Sequence, residues 1–217
     1  MRTINLKDWP RREHYLYFKD WEYPQFSLCA DMDITKILPF IKERKISFTA
    51  AIMYLAARVA NGIPEFRRRV RDGDPIEHEV VHPGVTILSK DDLFTFCTVE
   101  YQPDFNEFIS NAEEEISRSK AQPSLEEKYS DDRMFFMTAI PWVSFTSFMH
   151  PLKMNPVDSV PRFAWGKYRE EGQKTIMPLS VQGHHALMDG LHAGVFYEKF
   201  QQLLGNPEQL IENEDKV

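Results

Sequence analysis

The sequence predicts an α/β fold in which helices pack on a mixed β-sheet. Three observations lead there. Segments with helical apolar spacing alternate with short β-prone runs along the whole chain. One helical segment, Ser47 to Asn61, is apolar almost all round, as a helix buried against a sheet must be. No repeat, no linker of shifted composition and no second core interrupts the pattern, so residues 1–217 read as a single domain.

The elements follow in order. Residues 1–24 are dense in aromatics and charges, and Arg11 to Phe18 reads as one or two helical turns started by Pro10. Phe26 to Met32 reads as a strand. Asp33 then stands as an N-cap before an apolar stripe of Ile34, Ile37, Leu38 and Ile41. Ser47 caps the buried helix, and Asn61-Gly62 with Pro64 stops it. The basic run Phe66 to Arg71 reads as a solvated face beside Asp72 and Asp74, with a phosphate contact as the alternative. Val85 to Leu88 and Leu93 to Val99 form a hairpin across Ser89 to Asp92.

Asp104 caps a helix whose apolar face is Phe105, Phe108, Ile109, Ala112 and Ile116. Ala121 to Asp132 is a polar surface loop, Met134 to Ile140 a strand, and Met149 to Pro161 an irregular loop with three prolines. Phe163 to Tyr168 and Thr175 to Gln182 are strands around a Glu170 to Gln173 turn. A strand-like run from Ile176 stops at Gly183, a helix ends at Gly205, and Asn206 to Val217 is a polar tail.

Composition narrows the function. The net charge is −7, which disfavours nucleic acid and anionic membranes as partners. Two cysteines, Cys29 and Cys97, form neither a disulfide framework nor a CxxC site, and a reduced cytoplasm fits them. No stretch has membrane-spanning length. Sixteen phenylalanines are many for 217 residues and suit both a core and a pocket wall.

The chemistry concentrates in residues 176–192. His184 and His185 follow the strand, Asp189-Gly190 comes next, and a helical segment carries His192. A ring with a carboxylate four residues on suggests an oriented general base. The same spacing on a continuous helix would present His185, Asp189 and His192 as a metal triad, but Gly183 and Gly190 argue against continuity. In a third reading Asp189 caps the helix and the rings pack. Two exposed-type rings after a buried strand suit a base better than a core.

His184-His185-Ala186-Leu187-Met188-Asp189-Gly190 matches HHxxxDG and so resembles the coenzyme A-dependent acyltransferases. Three further stretches are similar to the chloramphenicol acetyltransferase family in particular: Trp9 to His14 (W-x-R-R-E-H), Pro141 to Phe148 (P-W-x-x-F-x-S-F), and Met177 to Gln182 running into the histidines. These run in the family's order from end to end. The resemblance implies a two-layer α/β sandwich, a homotrimer with active sites between subunits, and acetyl transfer from acetyl-CoA to a hydroxylated small molecule, chloramphenicol first, without a metal. It implies His185 as general base, Ser147 as oxyanion donor to the intermediate and a contact of the coenzyme, Asp189 paired with Arg11, and Lys167 and Tyr168 near the coenzyme. Phe18, Phe26, Phe94, Phe96, Phe136 and Ala164 are the implied acceptor-site residues.

Two positions depart from the family. Phe18 stands where a tyrosine contacts the antibiotic, unless Tyr17 or Tyr15 substitutes, and Ala164 stands where a threonine holds a water. Both bear on the acceptor rather than on acetyl transfer.

Overall fold

A computed structural model of the chain describes residues 1–126 and 132–211. The strands are β1 (Arg2–Thr3), β2 (Gln25–Asp33), β3 (Arg68–Arg71), β4 (Asp74–Glu77), β5 (His82–Leu88), β6 (Phe94–Thr98), β7 (Met134–Ile140), β8 (Arg162–Gly166), β9 (Arg169–Glu171) and β10 (Lys174–His184). The helices are α1 (Arg12–Phe18), α2 (Ile37–Glu43), α3 (Phe48–Asn61), α4 (Phe105–Ala121) and α5 (Gly190–Gly205). The main sheet runs β2-β10-β8-β7-β5-β6, with β9 paired to the start of β10, and a small sheet runs β1-β4-β3. β7 is parallel to both β5 and β8 while the other pairs are antiparallel, so the sheet is mixed as the sequence predicts.

Alternation along the strands gives the sheet two unlike faces. One face presents Val85, Ile87, Phe135, Met137, Phe163, Trp165, Leu179 and Val181, all buried against α3, α4 and α5. Each large aliphatic hidden there contributes about 1.5–3 kcal/mol. The other face follows from the register: Phe94 and Phe96 on β6, Thr86 on β5, Phe136 and Thr138 on β7, Arg162 and Ala164 on β8, and Ser180 and Gln182 on β10. Among the described residues no helix covers this second face. The segment 141–161 crosses part of it, and Phe94 is left half exposed.

Local chemistry explains the helices. Ser47 Oγ accepts the Ala50 N–H, and Asp104 accepts that of Glu107 at 2.7 Å, so α3 and α4 are capped as their sequences predict. Asp33 is not a cap. It ends β2 and its carboxylate takes the Thr35 N–H and hydroxyl, so α2 starts only at Ile37. The stripe survives the shift, with Ile34, Ile37 and Ile41 all buried.

Two more expectations are corrected. The basic run is not a solvated face: Arg69 is fully buried, and its guanidinium donates to the carbonyls of Phe66, Arg68, Asp132 and Met134. The run forms a hairpin with β4 about Asp72 and Gly73, both at positive φ. Residues 206–211 are not a loose tail, because Pro207–Leu210 make a 3₁₀ turn that buries Leu210. The rest of that tail, and residues 127–131 of the loop expected from Ala121 to Asp132, lie outside the described residues.

Candidate active site

β10 does not stop at Gly183 but runs through it to His184, still paired with Gln25 of β2. The glycine is there for room. A Cβ on residue 183 would lie 2.3 Å from the sulfur of Met188, which folds back onto the strand. Beyond it the chain turns tightly, the His184 carbonyl accepting from the N–H groups of Leu187 and Met188, and the His185 N–H reaching the Pro24 carbonyl at 2.7 Å.

Arg11 locks this turn from far upstream. Its Nε donates to the Ala186 carbonyl at 3.0 Å, one terminal nitrogen to the His185 carbonyl at 2.8 Å, and the other to Asp189 Oδ2 at 2.8 Å. Burial opposes ionisation at Asp189, but the hydrogen bond and charge of Arg11 and the Leu191 N–H outweigh it and hold the carboxyl below the usual range. The other oxygen of Asp189 caps α5 through the Leu191 N–H, and His192 Nδ1 accepts the Asp189 N–H in return. Strut and cap are therefore the same residue. With Nδ1 of His192 so engaged, the three-residue metal reading loses a ligand atom, and no group of three such residues among those described is placed to hold a metal.

The two adjacent rings differ. His184 is 1% exposed, its Nδ1 accepts the Ala186 N–H, and burial pushes its pKa down to about 4. It is a neutral structural ring. His185 lies with Phe18 stacked flat upon it, centroids 4.3 Å apart and planes at 4°, and with Phe26 at 5.3 Å. Its Nδ1 is sealed from solvent without a partner. Of its two nitrogens, Nδ1 is thereby closed to a bound molecule. Tyr15, Ala186 and Leu187 form a small buried cluster under α1, and Tyr15 donates its hydroxyl to the Gly73 carbonyl, which fixes Phe18 in place.

The remaining residues singled out in the sequence are distributed rather than gathered. Ser147 is exposed. The carbonyl of its neighbour Phe148 takes the hydroxyls of Ser27 and Ser180, and Ser180 lies five residues, about 16 Å, back along β10 from His185. No hydrogen bond joins Ser147 to His185 among the described residues. Ala164 is fully buried across from Ser180, and Phe136 carries the Arg162 guanidinium 5.1 Å from its ring centre. Phe94 and Phe96 sit on β6, four strand spacings or about 19 Å from β10.

Lys167 and Tyr168 occupy the turn between β8 and β9, the Lys167 N–H held by the Val143 carbonyl and the Tyr168 ring 5.9 Å from Phe48. Beside them lies a cavity of about 460 Å³ between β2 and the segment leading to Ser147, lined by Cys29, Asp31, Ser144, Thr146 and Arg169 among others. Sequence reasoning missed Arg169, which donates to Asp31, Glu171 and Ser144. Its only sequence signal is its place directly after Lys167-Tyr168. Nor did the sequence mark His150, Asp158, Arg162 and Gln182, which the fold packs together beside Phe148. They lie in or against the prolyl loop, where no periodicity exists to point to them.

Residues 1–201 match the family model described as chloramphenicol acetyltransferase. A chloramphenicol acetyltransferase from Klebsiella sp is 34% identical over 203 residues, 92% of each chain, and one from Bacillus pumilus is 31% identical over 196 residues, 89% of each. Among solved structures, a chloramphenicol acetyltransferase superposes with a TM-score of 0.83 at 24% identity, covering 94% of this chain and 99% of its own. The dihydrolipoamide acetyltransferase of Azotobacter vinelandii gives 0.69 at 15%, covering 93% and 87%. The fold and the HHxxxDG turn thus define an acyltransferase of the coenzyme A-dependent superfamily. Within that class, the chain belongs to the chloramphenicol acetyltransferase family.

Proposed function

We propose that the protein transfers the acetyl group of acetyl-CoA to a hydroxyl of a small-molecule acceptor, with His185 Nε2 as general base. The observation that carries this is the construction around His185. Arg11 fixes the turn with three directed donors, Phe18 fixes the ring plane, and Nδ1 is closed off. A base with one open nitrogen held at one angle is what proton abstraction from a bound hydroxyl requires.

The reaction then runs in one complex. His185 takes the hydroxyl proton as the oxygen attacks the thioester carbonyl, and Ser147 donates its hydroxyl to the oxyanion that forms. Collapse expels coenzyme A as thiolate, which recovers the proton from the imidazolium. Asp189 relays nothing, because its oxygens are engaged by Arg11 and by the cap of α5.

For the cosubstrate, the cavity lined by Ser144 and Thr146, the latter next to Ser147 in sequence, has the volume for a thioester arm. Lys167 offers a cation for phosphate nearby, while Arg169 is already neutralised by Asp31 and Glu171. Because Ser147 and His185 are apart in one chain, we assign them to opposite sides of a site formed between copies, in a homotrimer. The uncovered sheet face, with Phe94, Phe96 and Phe136 on it, would then supply the acceptor wall to a neighbour's histidine.

Chloramphenicol is the first acceptor to test, since the relatives bear its name. A different hydroxylated molecule is the second reading, favoured by Phe18 and by the fully buried Ala164, neither of which offers a side-chain hydrogen bond. Thiol release from acetyl-CoA with chloramphenicol and other hydroxylated acceptors tests both. His185→Ala is expected to lower kcat by about 10²- to 10⁴-fold with an unchanged circular dichroism spectrum. Near-parental turnover in that variant overturns the base assignment.

A further inference from the structure

The capping box that starts α5 is closed by an uncommon residue. The N3 side chain that reaches back to the N-cap N–H is ordinarily a glutamate or glutamine, whose oxygen always accepts. Here it is His192, and its Nδ1 accepts the Asp189 N–H at 3.1 Å. A neutral imidazole accepts at one nitrogen only, so this bond exists in a single tautomer, with the proton on Nε2. Nδ1 also lies 3.0 Å from Asp189 Oδ1. A proton placed on Nδ1 would turn to that oxygen and set a donor against the Asp189 N–H. Which nitrogen carries the proton thus decides whether the box closes.

Glu65 is placed to decide it. Its Oε1 lies 3.7 Å from His192 Nε2, with both side chains mostly buried. The separation is longer than a hydrogen bond, yet an anion so near favours a proton on the nitrogen that faces it. Arg68 holds the carboxylate from its other side, donating to the same oxygen at 2.7 Å. Arg68 is itself tied to Glu77 at 3.3 Å and lies over the Trp9 ring. The backbone under Glu65 is equally fixed. Pro64–Arg67 form a 3₁₀ turn in which Phe66 is fully buried, its ring 5.3 Å from Phe196 of α5 and 5.9 Å from Phe163 of β8. That packing sets the spacing between Glu65 and the start of α5. Asp189, where α5 begins, closes the turn whose carbonyls at His185 and Ala186 are gripped by Arg11.

We propose that Glu65 and His192 are positioning residues for His185: Glu65 selects the His192 tautomer, and that tautomer holds the Asp189 backbone on which the histidine turn depends. Neither touches the reacting atoms. This deepens the acetyl-transfer reading and rests on it for the kinetic consequence, whereas the tautomer is observable without turnover.

The parent, Glu65→Ala, His192→Gln and the double variant test it, each as the full-length protein. The His192 ring is read by nitrogen NMR of histidine-labelled protein, its signals identified by their loss in His192→Gln. Thiol release from acetyl-CoA with chloramphenicol and other hydroxylated acceptors gives kcat and KM. In the parent the proton is expected on Nε2, with Nδ1 bare. Glu65→Ala is expected to move part of the population to the other tautomer. It should lower kcat by about tenfold with KM within about twofold, because the base is displaced while the binding surfaces stay. A glutamine oxygen accepts the Asp189 N–H whatever faces it, so adding His192→Gln to Glu65→Ala should recover most of that loss. If Glu65→Ala does not fold, Glu65→Gln makes the same comparison with a smaller loss. A proton on Nδ1 in the parent overturns the proposal, as does an unchanged tautomer or an unchanged kcat in Glu65→Ala. So does a loss of kcat that His192→Gln does not relieve, which would mean that Glu65 acts through Arg68 and the fold alone. The expected change of tautomer, with no thiol release from the parent, leaves the pair standing and overturns the acetyl-transfer reading. An unchanged tautomer without thiol release overturns both.

Discussion

Arg11 and Asp189 are 178 positions apart in sequence and 2.8 Å apart in the fold, and the histidine turn depends on that closure. Arg11→Ala removes three hydrogen bonds from a charged donor, so it is expected to lower unfolding free energy by about 1.5–3 kcal/mol in denaturant and kcat with it. Arg11→Lys should recover little, since an ammonium cannot reproduce the three-pronged geometry. Parental stability and turnover in Arg11→Ala would remove the strut from the mechanism. His150 and His184 give a second residue-scale test. Burial holds both near 4 when folded, against 6.5 for a free ring. The unfolded chain therefore binds more protons between those values, and stability should fall as pH drops from about 6.5 to about 4. The slope in that window should be shallower in His150→Leu; an identical slope would mean that His150 does not titrate with folding. At this scale the turn was legible because two rings and a carboxylate share a short stretch. His150, Gln182 and Gln25 were not, because contacts across the sheet face leave no local pattern. Arg69 was misread for a related reason: consecutive cations look solvated until backbone carbonyls are found around one of them.

The element that decides the site is the junction of β10 with the histidine turn. Gly183→Ala forces a Cβ against a methionine that is itself 1% exposed, so it is expected to cost about 1–3 kcal/mol by overpacking and to misplace His185. Adding Met188→Ala should restore much of both, and its failure to do so would separate Gly183 from the packing of Met188. Elsewhere, Asp132 joins β3 to the entry of β7, its carboxylate taking bonds from His78 and Arg71. Burial works against that charge, but the His78 and Arg71 bonds and the Arg69 charge prevail and hold the Asp132 pKa at about 2. A depressed carboxyl contributes stability above its unfolded value near 4, lost as pH falls through about 2. Asp132→Asn should lower Tm at neutral pH and flatten acid unfolding between those limits. Capped helices such as α3 and α4 were legible because cap and stripe agree. The β3–β4 hairpin and the late start of α2 were not, since charged strands and an aspartate turn mimic a surface face and an N-cap.

Over the whole molecule, the helices cover one face of the sheet and leave the other to side chains that a sequence distributes without warning. Strand order, which brings β10 between β2 and β8, has no local signature, so the placement of Ser180 beside Ala164 and the distance of Phe94 from His185 emerge only in the fold. The separation of Ser147 from His185 within one chain carries the central proposal, that the base and the oxyanion donor meet between copies of the chain. Coexpression of His185→Ala with Ser147→Ala tests it directly. In a symmetric trimer with shared sites, random mixing pairs an intact histidine with an intact serine at about one site in four, so thiol release should return to roughly a quarter of the parental rate. A mixed assembly no more active than either variant alone would contradict it.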